Sequence, residues 1–239
     1  MVFKKNRFIR NNLERKETLQ SEKIFVHNLS ATALIHLEPY IQRHSGDVTI
    51  CYKTVGSENL CLSLYFPPQY SQETEETFPI FVMVHGGGWS SRKVFADQTN
   101  WAGDYLGYLA RYYADKGFVA VSVDYRMLDG NNAGPLSLMD LNEDCMDALV
   151  FLWENREQYH LDLECACLLG ESAGGYLAAA MLTFPYRKSP FRFQRGILVN
   201  PITDLLDSKW GKYLSSDINK NNDDENRRCL SPLWQISAD

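Results

Sequence analysis

The sequence predicts an α/β fold, a mostly parallel sheet with helices on both faces, and three observations carry that expectation. Two short runs, "FPIFVMVH" (78–85) and "FVAVSVDY" (118–125), are apolar almost throughout, as strands covered on both faces must be. Segments with helical spacing alternate with such runs along the chain. An opening pair of strands joined by a tight turn precedes them.

Taken in order, residues 1–46 form a separate N-terminal segment, a cap or a tail, in which "ATALIHLEPYIQRH" (31–44) is compatible with a helix interrupted at Pro39. The second part of the chain, residues 47–239, starts with strands "DVTICYKTV" (47–55) and "NLCLSLYF" (59–66), joined by Gly56-Ser57-Glu58. "YSQETEET" (70–77) is an acidic surface loop before the strand at 78–85. "WAGDYLGYLARYYADKG" (101–117) is a helix that Gly117 ends, and 118–125 is the next strand. "DLNEDCMDALVFLWENRE" (140–157) places Leu141, Cys145, Ala148, Leu149 and Leu152 at helical intervals. "CACLLG" (165–170) is a strand, "AGGYLAAAMLTF" (173–184) a helix and "RGILVN" (195–200) a strand stopped by Pro201. "DDENRRCL" is a polar loop, and "SPLWQISAD" holds a short helix.

Composition sets limits on partners. The chain has 239 residues, a mean hydropathy of −0.32 and a formal net charge of −6, which argues against a general nucleic-acid binder. No apolar run reaches the length of a membrane span. Residues 1–23 hold seven Lys and Arg against three Glu, so a basic start with a net of +4 precedes a remainder of −10. No apolar stretch of the secretory kind follows those basic residues. The six cysteines, Cys51, Cys61, Cys145, Cys165, Cys167 and Cys229, show no zinc-ligand spacing with a histidine. Free thiols and a cytoplasmic location are therefore expected.

Chemistry is concentrated in two stretches. In "GESAGG", Gly170-x-Ser172-x-Gly174 lies between a predicted strand and a predicted helix. A serine on such a sharp turn is exposed as a nucleophile, and small neighbours let strand and helix approach closely. The bland alternative is a glycine-rich turn. "HGGGW", His85-Gly86-Gly87-Gly88-Trp89, follows a buried strand and offers backbone N–H groups to a developing oxyanion. A phosphate loop is the competing reading. It fails because neither a Lys-Ser/Thr pair nor G-x-G-x-x-G spacing is present. His85, fixed at a strand end beside the glycines, is expected to shape the loop and not to act as a base.

With these two motifs in this order, residues 47–238 resemble the α/β-hydrolase superfamily. Within it they are similar to carboxylesterases of the hormone-sensitive-lipase-like and feruloyl-esterase-like (BD-FAE) types. "LYFP" (64–67), "VSVDYRM" (121–127), "DLNED" (140–144) and "VNPITDL" (199–205) support the resemblance. It implies Ser172 as catalytic nucleophile, with an oxyanion hole from the N–H groups of Gly87, Gly88 and Ala173. His85, Gly86, Gly170, Glu171 and Gly174 would support the motifs. Arg126 would form a buried structural ion pair with Asp144 or Asp147. The resemblance implies no metal and no organic cofactor, and a small, short-acyl ester as substrate.

The sequence departs from that family in one respect. Acid and base should follow the nucleophile, as Asp and then His. No histidine follows Ser172; the five present are His27, His36, His44, His85 and His160. The expectation is a chain truncated before the last two strands of the fold, whose loops would carry both residues, with the acid and base not found in this chain. The sixth strand would then be an apolar sheet edge that invites self-association. A non-catalytic ligand-binding protein or an incomplete fragment on the same frame is the alternative to an active serine esterase.

Overall fold

A computed structural model of the protein describes residues 46–89, 105–128, 136–185, 187–207 and 223–236. The expectations for residues 1–45, and for the first turn of the helix at 101–104, lie outside these residues. The described residues all belong to the unit Ile41–Asp239. Six strands form one sheet: β1 (Val48–Val55), β2 (Glu58–Tyr65), β3 (Phe78–Val84), β4 (Val119–Val123), β5 (Leu161–Glu171) and β6 (Phe193–Val199). Their spatial order is β1-β2-β4-β3-β5-β6. β1, β2 and β4 pair antiparallel, whereas β4, β3, β5 and β6 run parallel. Among the described residues the helices α1 (Tyr105–Ala114), α2 (Leu138–Glu154) and α3 (Ser172–Thr183) alternate with the strands from β3 onward, and α4 (Asp223–Cys229) comes after β6.

Helices cover both faces of the sheet. Phe81 and Val82 are consecutive in β3 and therefore point to opposite sides. Phe81 stacks on Tyr113 of α1, with ring centroids 3.8 Å apart. Val82 shares a row with Leu168 of β5, which pairs with Gly196 of β6, and Leu182 of α3 lies against Gly196. β4 is buried at every residue and β3 at all but Pro79, which is why these two read as unbroken apolar runs.

Local chemistry sets the element ends. The Ser137 side chain accepts from Asp140 N, and Asp140 accepts from Ser137 N, a capping box that starts α2 at Leu138, two residues before the expected start at Asp140. α3 has no polar stripe. Ala173 to Met181 are all buried, and its small residues allow close packing on the sheet. β5 begins at Leu161, four residues before the expected start. Leu161 and Leu163 turn inward and Asp162 and Glu164 outward, a period-two pattern that the charges disguise as loop. A register shift between Ala166 and Cys167 follows it. Residues 223–229, expected as a polar loop, are helical, and the turn at Pro232–Gln235 is a 3-10 helix. Without an apolar face of its own, the former segment gave no periodic signal.

β6 closes one side of the sheet in the described residues. Ile197 and Leu198 are 39% and 38% exposed there. Among the described residues no helix is long and apolar enough to cross a membrane.

Candidate active site

The site lies at the carboxyl ends of the parallel strands, where β3 and β5 are neighbours. Val84 pairs with Gly170, so the loops that begin at His85 and Glu171 leave the sheet side by side. Ser172 starts α3 at φ +52, a left-handed conformation costing an L residue roughly 1–2 kcal/mol. Strain of this kind persists only where surrounding packing enforces it. Here the enforcement comes from glycine contacts. A Cβ on Gly174 would collide with the carbonyl oxygens of Val84 and His85, and one on Gly170 would lie 2.6 Å from Ala178 Cβ. The strand, the turn and the helix are therefore in contact through backbone. Relief of the strain gives a prediction: Ser172→Gly should raise the unfolding free energy by about 1 kcal/mol in urea titration, while removing the only hydroxyl at the turn.

The glycine loop has its own left-handed run, with Gly87 at φ +118, Gly88 at +63 and Trp89 at +59. Trp89 is fully buried, its indole N–H donates to the Ala173 carbonyl at 3.2 Å, and its ring meets Tyr176 edge-on at 5.3 Å. This fastens the glycine loop to the first turn of α3. Glu171, the residue before Ser172, places its carboxylate where a side chain on Gly86 would go. Gly86→Ala should therefore displace Glu171 and slow any reaction at Ser172, with a loss in kcat exceeding any rise in KM.

His85 is fully buried. Its Nδ1 lies 2.6 Å from the Gly86 carbonyl and its ring stacks on Tyr125 at 4.4 Å. Nε2 points to Asp124 at 3.7 Å, on the β4 side of β3, away from β5 and Ser172. Tyr125 donates its hydroxyl to the His85 carbonyl at 2.7 Å. His160 precedes β5, while Ser172 follows it, so the strand separates them by roughly 35 Å. His27, His36 and His44 lie outside the described residues.

Arg126 is 8% exposed and Asp144 fully buried. Arg126 Nε donates to Asp144 Oδ2 at 2.7 Å and Nη2 to Oδ1 at 2.9 Å, a bidentate pair. Lys53 adds a second cation on Oδ1 at 2.6 Å. Asp147 takes no part in holding Arg126; it receives Lys53 and Arg187, each at 2.7 Å. Burial pushes the Asp147 carboxyl up, but hydrogen bonds from Lys53 and Arg187 outweigh it and hold the group below the usual carboxylate range. A depressed folded pKa contributes stability above the unfolded value, about 3.9, and loses it as pH falls through the folded one. Wild-type protein should thus exceed Asp147→Asn in stability at pH 6, and the gap should narrow as the pH drops below about 4.

Three residues here escaped the sequence reading. Lys53 lies 91 positions from Asp144, so nothing local links them. Tyr125 is legible as a strand end and within "VSVDYRM", but with no role of its own. Asn200 closes β6 at φ +45, level with the elbow, and the adjacent Pro201 lies 3.0 Å from where a Gly175 Cβ would be. A groove of about 870 Å³, lined by Trp153, Arg156, Glu164, Arg192 and Arg195 among others, lies at the opposite end of β5. No serine, cysteine or histidine lines it, so the chemistry and not the volume locates the site. Among the described residues no group of three or more His, Cys, Asp or Glu is placed to hold a metal ion.

A serine at positive φ between strand and helix, beside a glycine loop from the neighbouring strand of a mostly parallel sheet, defines an α/β hydrolase. The BD-FAE family profile matches residues 62–221, and the chain belongs to that family. Among curated relatives, the putative alpha/beta hydrolase R526 of Acanthamoeba polyphaga mimivirus is 27% identical over 53% of this chain and 33% of its own length. The probable isoprenylcysteine alpha-carbonyl methylesterase ICMEL1 of Oryza sativa subsp. japonica is 25% identical over 57% of this chain and 31% of its own. The chain thus spans about a third of the length of these relatives. In structure it is similar to the apo form of esterase 2 from Thermogutta terrifontis. The TM-score is 0.63 at 22% identity, over 82% of this chain and 69% of that one, a likeness of fold.

Proposed function

We propose that this protein hydrolyses carboxylic esters through an acyl-enzyme on Ser172. The observation that carries the reading is Ser172 itself, held at φ +52 at the junction of β5 and α3. As its hydroxyl oxygen attacks the ester carbonyl, its proton passes to a general base that the described histidines do not supply and from there to the leaving alkoxide, and the oxyanion is received by the N–H groups of Gly87, Gly88 and Ala173. The first amides of a helix have no partner within it. The Glu171 side chain does not cap α3, which leaves those amides to an anion. Each such donor contributes about 3 kcal/mol to the transition state. Collapse of the intermediate expels the alcohol, and water then releases the acid. Neither His85 nor His160 is aimed at Ser172, so the reading assigns no base among the described histidines.

Small, short-acyl esters are the proposed substrates, handled without a metal or organic cofactor, in a cytoplasmic setting that suits six thiols. The exposed β6 edge supports self-association as a further part of this reading. Turnover of p-nitrophenyl acetate, butyrate and decanoate tests the substrate assignment. The expected result is hydrolysis that falls with acyl length and vanishes in Ser172→Ala. Saturable ester binding with no Ser172-dependent turnover would instead favour a ligand-binding protein on this frame.

A further inference from the structure

β1 and β2 form a hairpin at one side of the sheet, in a register that sets Cys51 directly opposite Cys61. The hydrogen bonds of β2 determine what kind of pair this is. Along a strand, the N–H and C=O of one residue point to one side and those of the next to the other. Leu64 C=O accepts from Asp47 N at 2.8 Å, so Leu64 faces β1. Cys61, three residues earlier, accepts from Asp124 N at 3.0 Å and faces β4. Cys51 and Cys61 are therefore a non-hydrogen-bonded pair, in which Cα atoms approach to about 4.5 Å and side chains come closest. That separation lies within the range disulfides span, roughly 4.4–6.8 Å. The adjacent pair of the same kind shows the contact directly: the hydroxyl oxygens of Thr49 and Ser63 are 3.0 Å apart. Cys51 is exposed and Cys61 partly so, and no disulfide joins the cysteines in the structure.

We propose that Cys51 and Cys61 are a reversible dithiol–disulfide site that exchanges with small-molecule disulfides. In the reduced form Cys51 Sγ donates to the Lys53 carbonyl at 3.4 Å, a weak bond that a rotation about χ1 gives up to bring the sulfur across the hairpin. The Cys51 thiolate attacks one sulfur of the incoming disulfide, whose S–S bond breaks; one small thiolate leaves and takes a proton. The Cys61 thiolate then attacks Cys51 Sγ, and the second small thiolate leaves and is protonated. Two protein thiols are oxidised to one disulfide, and one small disulfide is reduced to two thiols. The bulge between Cys51 and Lys53 lies directly beside the pair, so the bridge would fasten the strand just where it presents Lys53 to Asp144.

The other described cysteines lack this arrangement. Cys145 is buried in α2, Cys229 lies in α4, and Cys165 and Cys167 follow one another along β5. The test uses the native, reduced 239-residue chain incubated with glutathione disulfide. Remaining thiols are then alkylated in acid-quenched, unfolded protein, and tryptic peptides are read by mass spectrometry. The expected product is a disulfide between peptides 44–53 and 54–92. Cys61→Ser should instead accumulate glutathione on Cys51, and phenylarsine oxide should bind the wild type at one equivalent that either Cys51→Ser or Cys61→Ser removes. Recovery of Cys51 and Cys61 unlinked, alkylated or each carrying glutathione, while exposed Cys165 or Cys229 carries glutathione, would overturn the proposal.

Discussion

Asp144→Ala should lower the unfolding free energy by about 3–5 kcal/mol. Asp144 is fully buried and holds two cations, Arg126 through a bidentate contact and Lys53 at 2.6 Å. Its removal leaves the nearly buried Arg126 guanidinium without its counter-charge, and an unpaired buried charge is more costly than the lost attraction alone suggests. The backbone N–H of Arg126 also donates to Asp144, at 3.2 Å, so the chain after β4 loses an anchor. Asp140 provides the comparison. It is 42% exposed and lies 3.7 Å from Arg126, so Asp140→Asn should cost under about 1 kcal/mol from that contact. Urea unfolding of the two variants measures the difference directly. Equal small losses would mean that Asp144 does not tie Lys53 of β1 and Arg126, just after β4, to α2.

The second large effect belongs to Gly174. Its missing side chain is what allows α3 to rest on the backbone of Val84 and His85. Gly174→Ala would push the helix off the strand end or distort the turn at Ser172, because the atoms it meets are backbone and cannot rotate away. A cost of about 3 kcal/mol is expected, at the upper end for overpacking. Reactivity at Ser172 should fall further than stability predicts, since Val84 and His85 lead into the glycine loop. Gly56→Ala is the control for a glycine that has φ +61 but open space around it. It carries backbone strain only and should leave Ser172 untouched.

Much of this arrangement is legible in the sequence, and the limits have physical causes. β3 and β4 are readable because both faces are buried, and α2 because its apolar residues recur at helical spacing. The elbow is readable because only glycine fits at 170 and 174, so the motif records the close approach itself. β5 was read short because Asp162 and Glu164 face outward from a strand whose inward residues are just Leu161 and Leu163 at that end. Helix α4 had no apolar stripe to reveal it. The family resemblance narrows the partner of Arg126 to Asp144 or Asp147, but the choice of Asp144 is visible only in the fold, where Asp147 is taken up by Lys53 and Arg187. Such competition exists only in three dimensions. Trp89 adopts left-handed backbone that its residue type does not announce, whereas Asn200 is of a type that enters that region several-fold more often than most.

The most direct measurement is fluorophosphonate labelling of the folded 239-residue chain, read by intact mass and peptide mapping, with Ser172→Ala alongside. Such probes react quickly only with an activated serine. The account predicts a single adduct on Ser172 that is absent from the variant. An unlabelled wild type, with a cooperative unfolding transition showing that it is folded, would contradict the assignment of Ser172 as an activated nucleophile in this chain.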